Sequence, residues 1–181
     1  MREIVQDGAE VLRETAKPVP DKMFGSDELA KLISDMAETL DAQPEGVALA
    51  APQIGVSYRL FVVRIDRTLP PSAPPPEGEL PLSSEVLTPE LEIFINPEIA
   101  KSSRRRKAAD EGCLSVKGVY GTTKRHERVT VRARRPDGSR VERGAGGLLA
   151  QIFQHEIDHL NGILFIDTAE HLLKIEHESA A

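Results

Sequence analysis

The sequence contains no tryptophan and a single cysteine, and aromatic residues make up only 4% of its 181 residues. One cysteine cannot form an internal disulfide, which agrees with a reducing compartment. No apolar run approaches the roughly 20 residues that a membrane-spanning helix needs. The N-terminal residues include acids and no apolar stretch, unlike a secretory signal or a transit peptide. We therefore expect a cytoplasmic protein with no membrane partner and a core built from aliphatic side chains.

The length of the chain favours one domain over two. Within it, the range 66–90 contains most of the prolines of the sequence. Proline lacks a backbone donor and fixes its own φ, so this density prevents regular strand pairing and favours an extended, exposed excursion. We interpret 66–90 as a loop inserted into a single catalytic domain that covers 1–181.

The formal net charge of −6 is unevenly distributed along the chain. Residues 101–143 include 14 basic and 5 acidic residues, whereas the remainder includes 9 basic and 24 acidic residues. One interpretation is a strand-rich region whose basic side chains are simply solvated. The other is a basic face that makes a transient contact with ribosomal RNA. We expect no DNA partner.

Apolar spacing predicts two long helices. Ser26 is typical of a helix N-cap and is followed by two acids, and a helical apolar pattern then extends to about 43–44. A second helix is predicted from 147 to 160, ending at Asn161-Gly162. Strands are predicted at 59–65, at 91–95 before Asn96-Pro97, at 129–133 and at 140–143, with a turn at 135–138. A short helix is predicted from about 168 to 176.

The second helix carries the pattern His-Glu-x-x-His. His155 and His159 are four residues apart, so both imidazoles project from one helix face and can bind one metal ion. Glu156 is placed to act on a water at the metal without being a ligand. Neutral imidazoles, an open coordination position and a carboxylate base are the components of a metal-dependent hydrolase. The alternative is two ordinary surface histidines.

Such a site needs a third protein ligand, and the pattern alone leaves its identity open. Many peptidases with this motif take it from a downstream acid or histidine. Upstream, Cys113 lies in the segment EGCLS, although a lone cysteine is often just a small apolar residue. The downstream candidates are Asp167, Glu170, His171, Glu176 and His177.

A third segment, 46–53 (GVALAAPQ), is rich in small residues that allow close backbone approach to a ligand. Gln53 at its end offers an amide donor suited to a developing oxyanion. The alternative is a tightly packed turn leading into the strand at 59–65.

Taken together, 46–53, 111–115 (EGCLS) and 154–160 (QHEIDHL) resemble, in order, the three motifs of the peptide deformylase family. The resemblance covers most of the chain. It implies an α+β fold with short antiparallel and mixed sheets around the helix that bears His155 and His159. It also implies that Cys113 is the third ligand of one divalent ion, commonly Fe(II), which Zn, Ni or Co can replace.

By this resemblance, the substrate is a peptide that begins with N-formylmethionine, and the products are formate and a free amino terminus. Glu156 is the general base, and the Gln53 amide and the backbone N–H of Leu114 meet the oxyanion. We also expect a set of residues to line the substrate site. That lining comprises Val47, Ile152 and His155 around the methionine side chain, Ala48 and Gly112 along the substrate backbone, and Glu111 behind the metal ligands.

Three positions depart from the family pattern: Ala48 replaces a glycine, Lys117 stands where proline is common, and Tyr120 stands where arginine is frequent. None removes a ligand or the base.

Two other functions are alternatives to deformylation. One is an endopeptidase with a downstream acid as ligand, and the other is a deformylase-like binding protein with reduced catalysis.

Overall fold

The computed structural model describes residues 1–68 and 90–175. Most of the predicted proline-rich loop, 69–89, therefore lies outside the described residues. The described part has two α-helices and eight strands: α1 Asp27–Asp41, α2 Gly147–Leu160, β1 Ala48–Ala50, β2 Leu60–Arg64, β3 Leu91–Ser102, β4 Arg106–Cys113, β5 Val116–His126, β6 Arg128–Arg134, β7 Arg140–Gly146 and β8 Glu170–Lys174. The predicted α+β class is confirmed.

The strands form two antiparallel sheets. One has the order β1-β2-β3-β6-β7 and the other the order β4-β5-β8. Helix α2 packs against strands of both sheets. Because β1 and β4 each form one edge of their sheet, each can pair with a further extended segment. Residues of both edge strands line one cleft.

Helix α2 forms because its apolar residues recur on the face that meets the first sheet. Phe153 is fully buried there against Phe61 and Phe94, with its ring centroid 4.9 Å from that of Phe94. The helix ends as predicted, with Asn161 as C-cap and Gly162 at a φ of 74°. A Cβ at Gly162 would lie 2.5 Å from the carbonyl oxygen of Arg13, so only glycine fits this position.

Helix α1 begins as predicted at its Ser26 cap, whose Oγ accepts a hydrogen bond from the backbone N–H of Leu29 over 3.2 Å. Its apolar stripe is buried against the first sheet, with Met36 and Leu40 fully inaccessible. The helix ends at Asp41, slightly before the predicted end, because a turn closed by the Gly46 N–H and the Gln43 carbonyl follows.

The helix predicted over 168–176 is wrong. The chain makes a single 3-10 turn at Phe165–Asp167 and then forms β8, which pairs with β5 through register partners such as Leu173 and Tyr120. A free antiparallel edge on β5 determines the structure here, and local apolar spacing cannot report that edge. Residues 176–181 lie outside the described residues.

Strand β3 does not stop at Asn96-Pro97 as predicted, but continues to Ser102. The register with β6 shifts between Ile95 and Glu98, so the proline falls at a β-bulge, where its missing N–H is tolerated. Asn96 adopts a φ of 51°, and its side-chain amide forms hydrogen bonds with both the backbone N–H and the carbonyl of Val19.

No helix in the part of the chain that the structure describes could cross a membrane.

Candidate active site

Cys113, His155 and His159 come together although they are distant in sequence. One donor atom from each lies within 4.8 Å of the other two. The Sγ atom of Cys113, at the end of β4, lies 3.3 Å from Nε2 of His159 on α2. The two histidine rings meet edge to face at a centroid distance of 4.9 Å. One sulfur and two imidazole nitrogens at this spacing are a donor set suited to a single divalent ion.

The ring of His155 is oriented by Glu111. Its Nδ1 lies 3.0 Å from Oε2 of the Glu111 carboxylate, an arrangement that places the proton on Nδ1 and leaves Nε2 free as a ligand. The sequence pattern predicts that Glu111 lies behind the ligands, and the structure places it there. Glu111 is 5% exposed.

A buried ion-pair network in turn holds Glu111. The Nε and Nη2 atoms of Arg125 donate to the two oxygens of the Glu111 carboxylate over 2.6 and 2.9 Å, and the Thr123 hydroxyl adds a third bond of 2.7 Å. Arg125 also reaches Asp158 on α2 over 2.5 Å. Burial alone would raise the pKa of Glu111, but the bonds from Arg125 and His155 outweigh it and hold that pKa at about 2. Glu111 is therefore an anion at neutral pH.

Glu156 lies on α2 between the two histidines and lines the cleft. Burial raises its pKa to about 7, although the neighbouring His155 works in the opposite direction. Its Oε2 atom and Nδ1 of His159 are buried without a hydrogen-bond partner among the described residues. Because orphaned buried polar atoms are costly, a carboxylate oxygen left free beside the three donors fits a site that takes up an ion and water.

Gln53 is buried beside the cysteine, and its amide orientation is fixed at both ends. Its Oε1 accepts from the Ala50 backbone N–H over 2.8 Å. Its Nε2 lies 3.2 Å from the Ser115 hydroxyl and 3.6 Å from Cys113 Sγ. The NH₂ group therefore faces the metal-ligand cluster. The alternative of a mere packed turn accounts for the 3-10 turn at Ala51–Ile54, but not for this orientation.

A cleft of about 690 Å³ opens onto the cluster between β1 and β4. The cleft is lined by the residues predicted to contact substrate, by the predicted general base and by the predicted oxyanion donors. His159 is buried behind them at 1% exposure. The predicted residues along the cleft are Val47, Ala48, Gln53, Glu111, Gly112, Cys113, Leu114, Ile152, His155 and Glu156.

The downstream ligand candidates that the structure describes are not part of the donor cluster. Asp167 instead accepts from Arg13 over 2.6 Å and from the Leu164 backbone N–H. Glu170 and His171 lie exposed on β8. Glu176 and His177 lie outside the described residues.

The departures from the family pattern fall along the cleft. Lys117 and Tyr120 both line it and are exposed. The Tyr120 ring lies over the backbone of Gly112, so that a Cβ there would be 2.9 Å from the ring. Ala48 is the first residue of β1 and is largely buried.

No sequence pattern indicated Arg125, Thr123 or Ser115 as residues of the site. In the sequence, Arg125 is one of the 14 basic residues of the 101–143 region. Its burial depends on the antiparallel register of β4 and β5, which no local pattern reveals. Ser115 stands out in the sequence only as the last residue of the EGCLS segment.

The geometry agrees with comparison to known proteins. A family model for polypeptide deformylase matches residues 1–174. The chain belongs to this family. A peptide deformylase of Symbiobacterium thermophilum is 44% identical over 176 residues, covering 97% of this chain and 70% of the relative.

Solved deformylase structures share the fold. The peptide deformylase of Thermotoga maritima superposes with a TM-score of 0.77 at 35% identity, covering 94% of this chain and 98% of that one. A class I type b peptide deformylase of Acinetobacter baumannii, bound to Met-Ala-Ser, gives 0.76 at 35% identity, covering 92% and 97%. As a deformylase, this chain is a hydrolase that depends on a divalent metal and removes the formyl group of nascent peptides.

Proposed function

We propose that this deformylase hydrolyses the formyl group of an N-terminal formylmethionine with Cys113, His155 and His159 as metal ligands and Glu156 as general base. One observation carries the proposal: the three donors converge beside a buried carboxylate with a free oxygen, at the end of an open cleft. The endopeptidase alternative has less support, because the described downstream acids lie away from the cluster. The binding-protein alternative would leave a complete set of catalytic side chains without use.

The ion, when bound, supplies Lewis-acid chemistry that polarises a carbonyl and makes water more acidic. We propose Fe(II) as the native ion and Zn, Ni or Co as replacements, because a thiolate with two imidazoles suits soft and borderline metals. The identity of the ion is measured by elemental analysis of protein purified without oxygen. A content dominated by Mg or Ca would contradict this donor chemistry.

Glu156 moves the proton. Glu156 follows His155 on α2, and its carboxylate lines the cleft with one oxygen free, so it can accept a proton from the attacking water and return it to the leaving amine. The Gln53 NH₂ group, held by Ala50 and Ser115, and the Leu114 backbone N–H are the proposed donors to the oxyanion. One such donor is typically worth roughly 3–4 kcal/mol in the transition state.

The substrate binds as an extended strand between the two free sheet edges. β1 offers Ala48 and β4 offers Gly112, so backbone pairing on both sides provides affinity without regard to side chains. Val47, Ile152 and His155 surround the methionine side chain, with Ile152 only 5% exposed and so a firm apolar wall. The Met-Ala-Ser peptide bound to the Acinetobacter baumannii relative supports a peptide ligand.

The test is formate release from formyl-Met-Ala-Ser, with and without a chelator. We expect activity that the chelator abolishes and that Glu156→Ala lowers by at least 100-fold, because general acid–base groups typically contribute about 10²–10⁴-fold. Glu142→Ala, on the exposed face of β7, is the control. Undiminished activity in Glu156→Ala would remove Glu156 from the mechanism. Cleavage of internal peptide bonds with no formate would favour the endopeptidase.

We also propose that residues 104–107 contact ribosomal RNA. This segment is exposed and basic, and it spans the turn after β3 and the first residues of β4. Arg105 pairs with Glu127 over 3.2 Å, and the proposal rests on the exposure of four consecutive basic side chains. Binding to ribosomes should weaken steeply with salt and be lost when 104–107 are changed to glutamine. Equal binding by wild type and variant would contradict it.

We further propose that 1–181 is one catalytic domain, with 66–90 as an inserted loop, that acts in the cytoplasm. A protein shortened across 69–89 that still released formate would support the insertion. Fractionation of cells by compartment tests the location, and recovery of the chain in membranes would contradict it.

A further inference from the structure

One wall of the cleft is a turn rather than a strand. Residues 43–46 connect α1 to β1 and line the cleft. The chain runs directly from this turn into Val47 and Ala48, the residues proposed to contact substrate. The position of the turn therefore sets where one of the two free sheet edges begins.

Arg67 holds this turn from outside the cleft. Its Nη1 atom donates to three backbone carbonyls, those of Leu40 at 3.4 Å, Gln43 at 3.1 Å and Gly46 at 2.6 Å. Its Nη2 atom lies 3.4 Å from the Asp41 carboxylate. Arg67 is not among the residues that line the cleft. A single guanidinium thus ties the last turn of α1 to the first residue before Val47.

Helix α1 has no cation of its own at its C-terminal end, where Arg67 binds. The helix has no basic residue in its last turn, although its terminal carbonyls carry partial negative charge and lack intrahelical donors. Asp41 adds a full negative charge there and pairs with Arg64, whose Nε lies 2.7 Å from it. Arg64 also holds the residue just before β1, since its backbone N–H donates to the Val47 carbonyl over 2.8 Å.

The turn can transmit displacement because it is closely packed. A Cβ at Gly46 would lie 2.9 Å from the Leu40 side chain and 3.2 Å from that of Leu114. Leu114 is the residue whose backbone N–H is a proposed oxyanion donor. Gly46 directly precedes Val47 in the chain, so a change in its position is passed to Val47 and Ala48 through the backbone, whereas it meets the other wall of the cleft only through the Leu114 side chain.

We propose that Arg67 is a positioning residue for substrate binding, which fixes the 43–46 wall so that β1 can pair with the peptide. The inference rests on the proposed function for the identity of the peptide. It assigns Arg67 to the affinity for peptide and not to the chemical step, whose metal ligands and general base lie on β4 and α2.

The experiment compares Arg67→Met, Arg67→Lys and Arg134→Met with wild type. Met keeps the apolar stem and removes the charge, whereas Lys restores a cation with three N–H donors. Arg134 is the matched control: its side chain is 31% exposed against 27% for Arg67, and it also binds a carbonyl, Gly138, and an acid, Asp21. It lies outside the cleft lining.

We expect Arg67→Met to raise KM for formyl-Met-Ala-Ser about tenfold, with kcat within twofold and metal content unchanged. Its Kd for the product Met-Ala-Ser, measured by calorimetry without turnover, should rise by a similar factor. Arg67→Lys should recover most of both losses. Arg134→Met should lower Tm to a similar degree with KM and Kd unchanged.

The proposal is overturned if Arg67→Met binds Met-Ala-Ser as tightly as wild type, if Arg134→Met weakens binding equally, or if the loss falls on kcat alone. A wild-type protein that binds Met-Ala-Ser but releases no formate would defeat the proposed reaction while leaving the role of Arg67 measurable by calorimetry.

Discussion

At the scale of single residues, two kinds of sequence information predict the metal ligands. The spacing of His155 and His159 on one helix face predicts two ligands and a neighbouring base directly. Cys113 needed the resemblance of the whole EGCLS segment, since a lone cysteine has no periodicity. Arg125 could not be predicted, because only the β4–β5 register converts a strand arginine into the partner of Glu111.

The assignment of Cys113 as a ligand predicts loss of metal in Cys113→Ala. Removing one of three donors should reduce bound metal to a small fraction of one equivalent, while circular dichroism shows a folded protein. Elemental analysis after dialysis is the measurement. An unchanged metal content in the variant would remove Cys113 from the metal site.

The Glu111 network predicts a second loss of metal affinity, in Glu111→Gln. The amide keeps the shape but cannot serve Arg125 and His155 as an anion, and loss of such an outer partner typically weakens metal binding about 10–100-fold. Competition with a chromophoric chelator measures this change. Asp110→Asn is the control, because the neighbouring Asp110 is exposed and its carboxylate bonds only the Thr122 hydroxyl within the described residues. Equal affinities in both variants would contradict the role of Glu111.

At the scale of elements, the two helices and the strands with clear periodicity were predictable because capping and amphipathic spacing are local. The end of β3 and the C-terminal segment were not, because both depend on partners. A bulge accommodates Pro97 in β3, and the edge of β5 recruits 170–174 as β8. Short-range apolar spacing in 170–174 is compatible with helix and strand alike.

The end of α2 yields a prediction about stability. In Gly162→Ala the new Cβ meets the Arg13 carbonyl at 2.5 Å in a left-handed conformation. Such strain costs about 1–3 kcal/mol of the free energy of unfolding. Gly144→Ala is the control, since its Cβ would meet nothing within 4 Å and its φ is ordinary. Urea denaturation compares the two, and equal stabilities would show that the α2 terminus relaxes freely.

At the scale of the whole molecule, the ligands join the second sheet to helix α2. Cys113 comes from the second sheet, and the histidines come from α2, which packs on both. A bound ion therefore stabilises the assembled fold over the unfolded chain, by about 2.7 kcal/mol at a free metal concentration of 100 Kd. Removal of metal should lower Tm by several degrees, as differential scanning calorimetry measures. Cys113→Ala should show no such shift, and an equal shift in that variant would place the stabilising ion elsewhere.

The central claim is that one ion held by Cys113, His155 and His159 serves the hydrolysis of the formyl amide. The most direct measurement is a titration of metal-free protein with Fe(II) under anaerobic conditions, following formate release from formyl-Met-Ala-Ser. We expect activity that is absent at the start, rises linearly and reaches a plateau at one ion per chain. Full formate release by the metal-free protein, or a plateau only at two ions per chain, would contradict it.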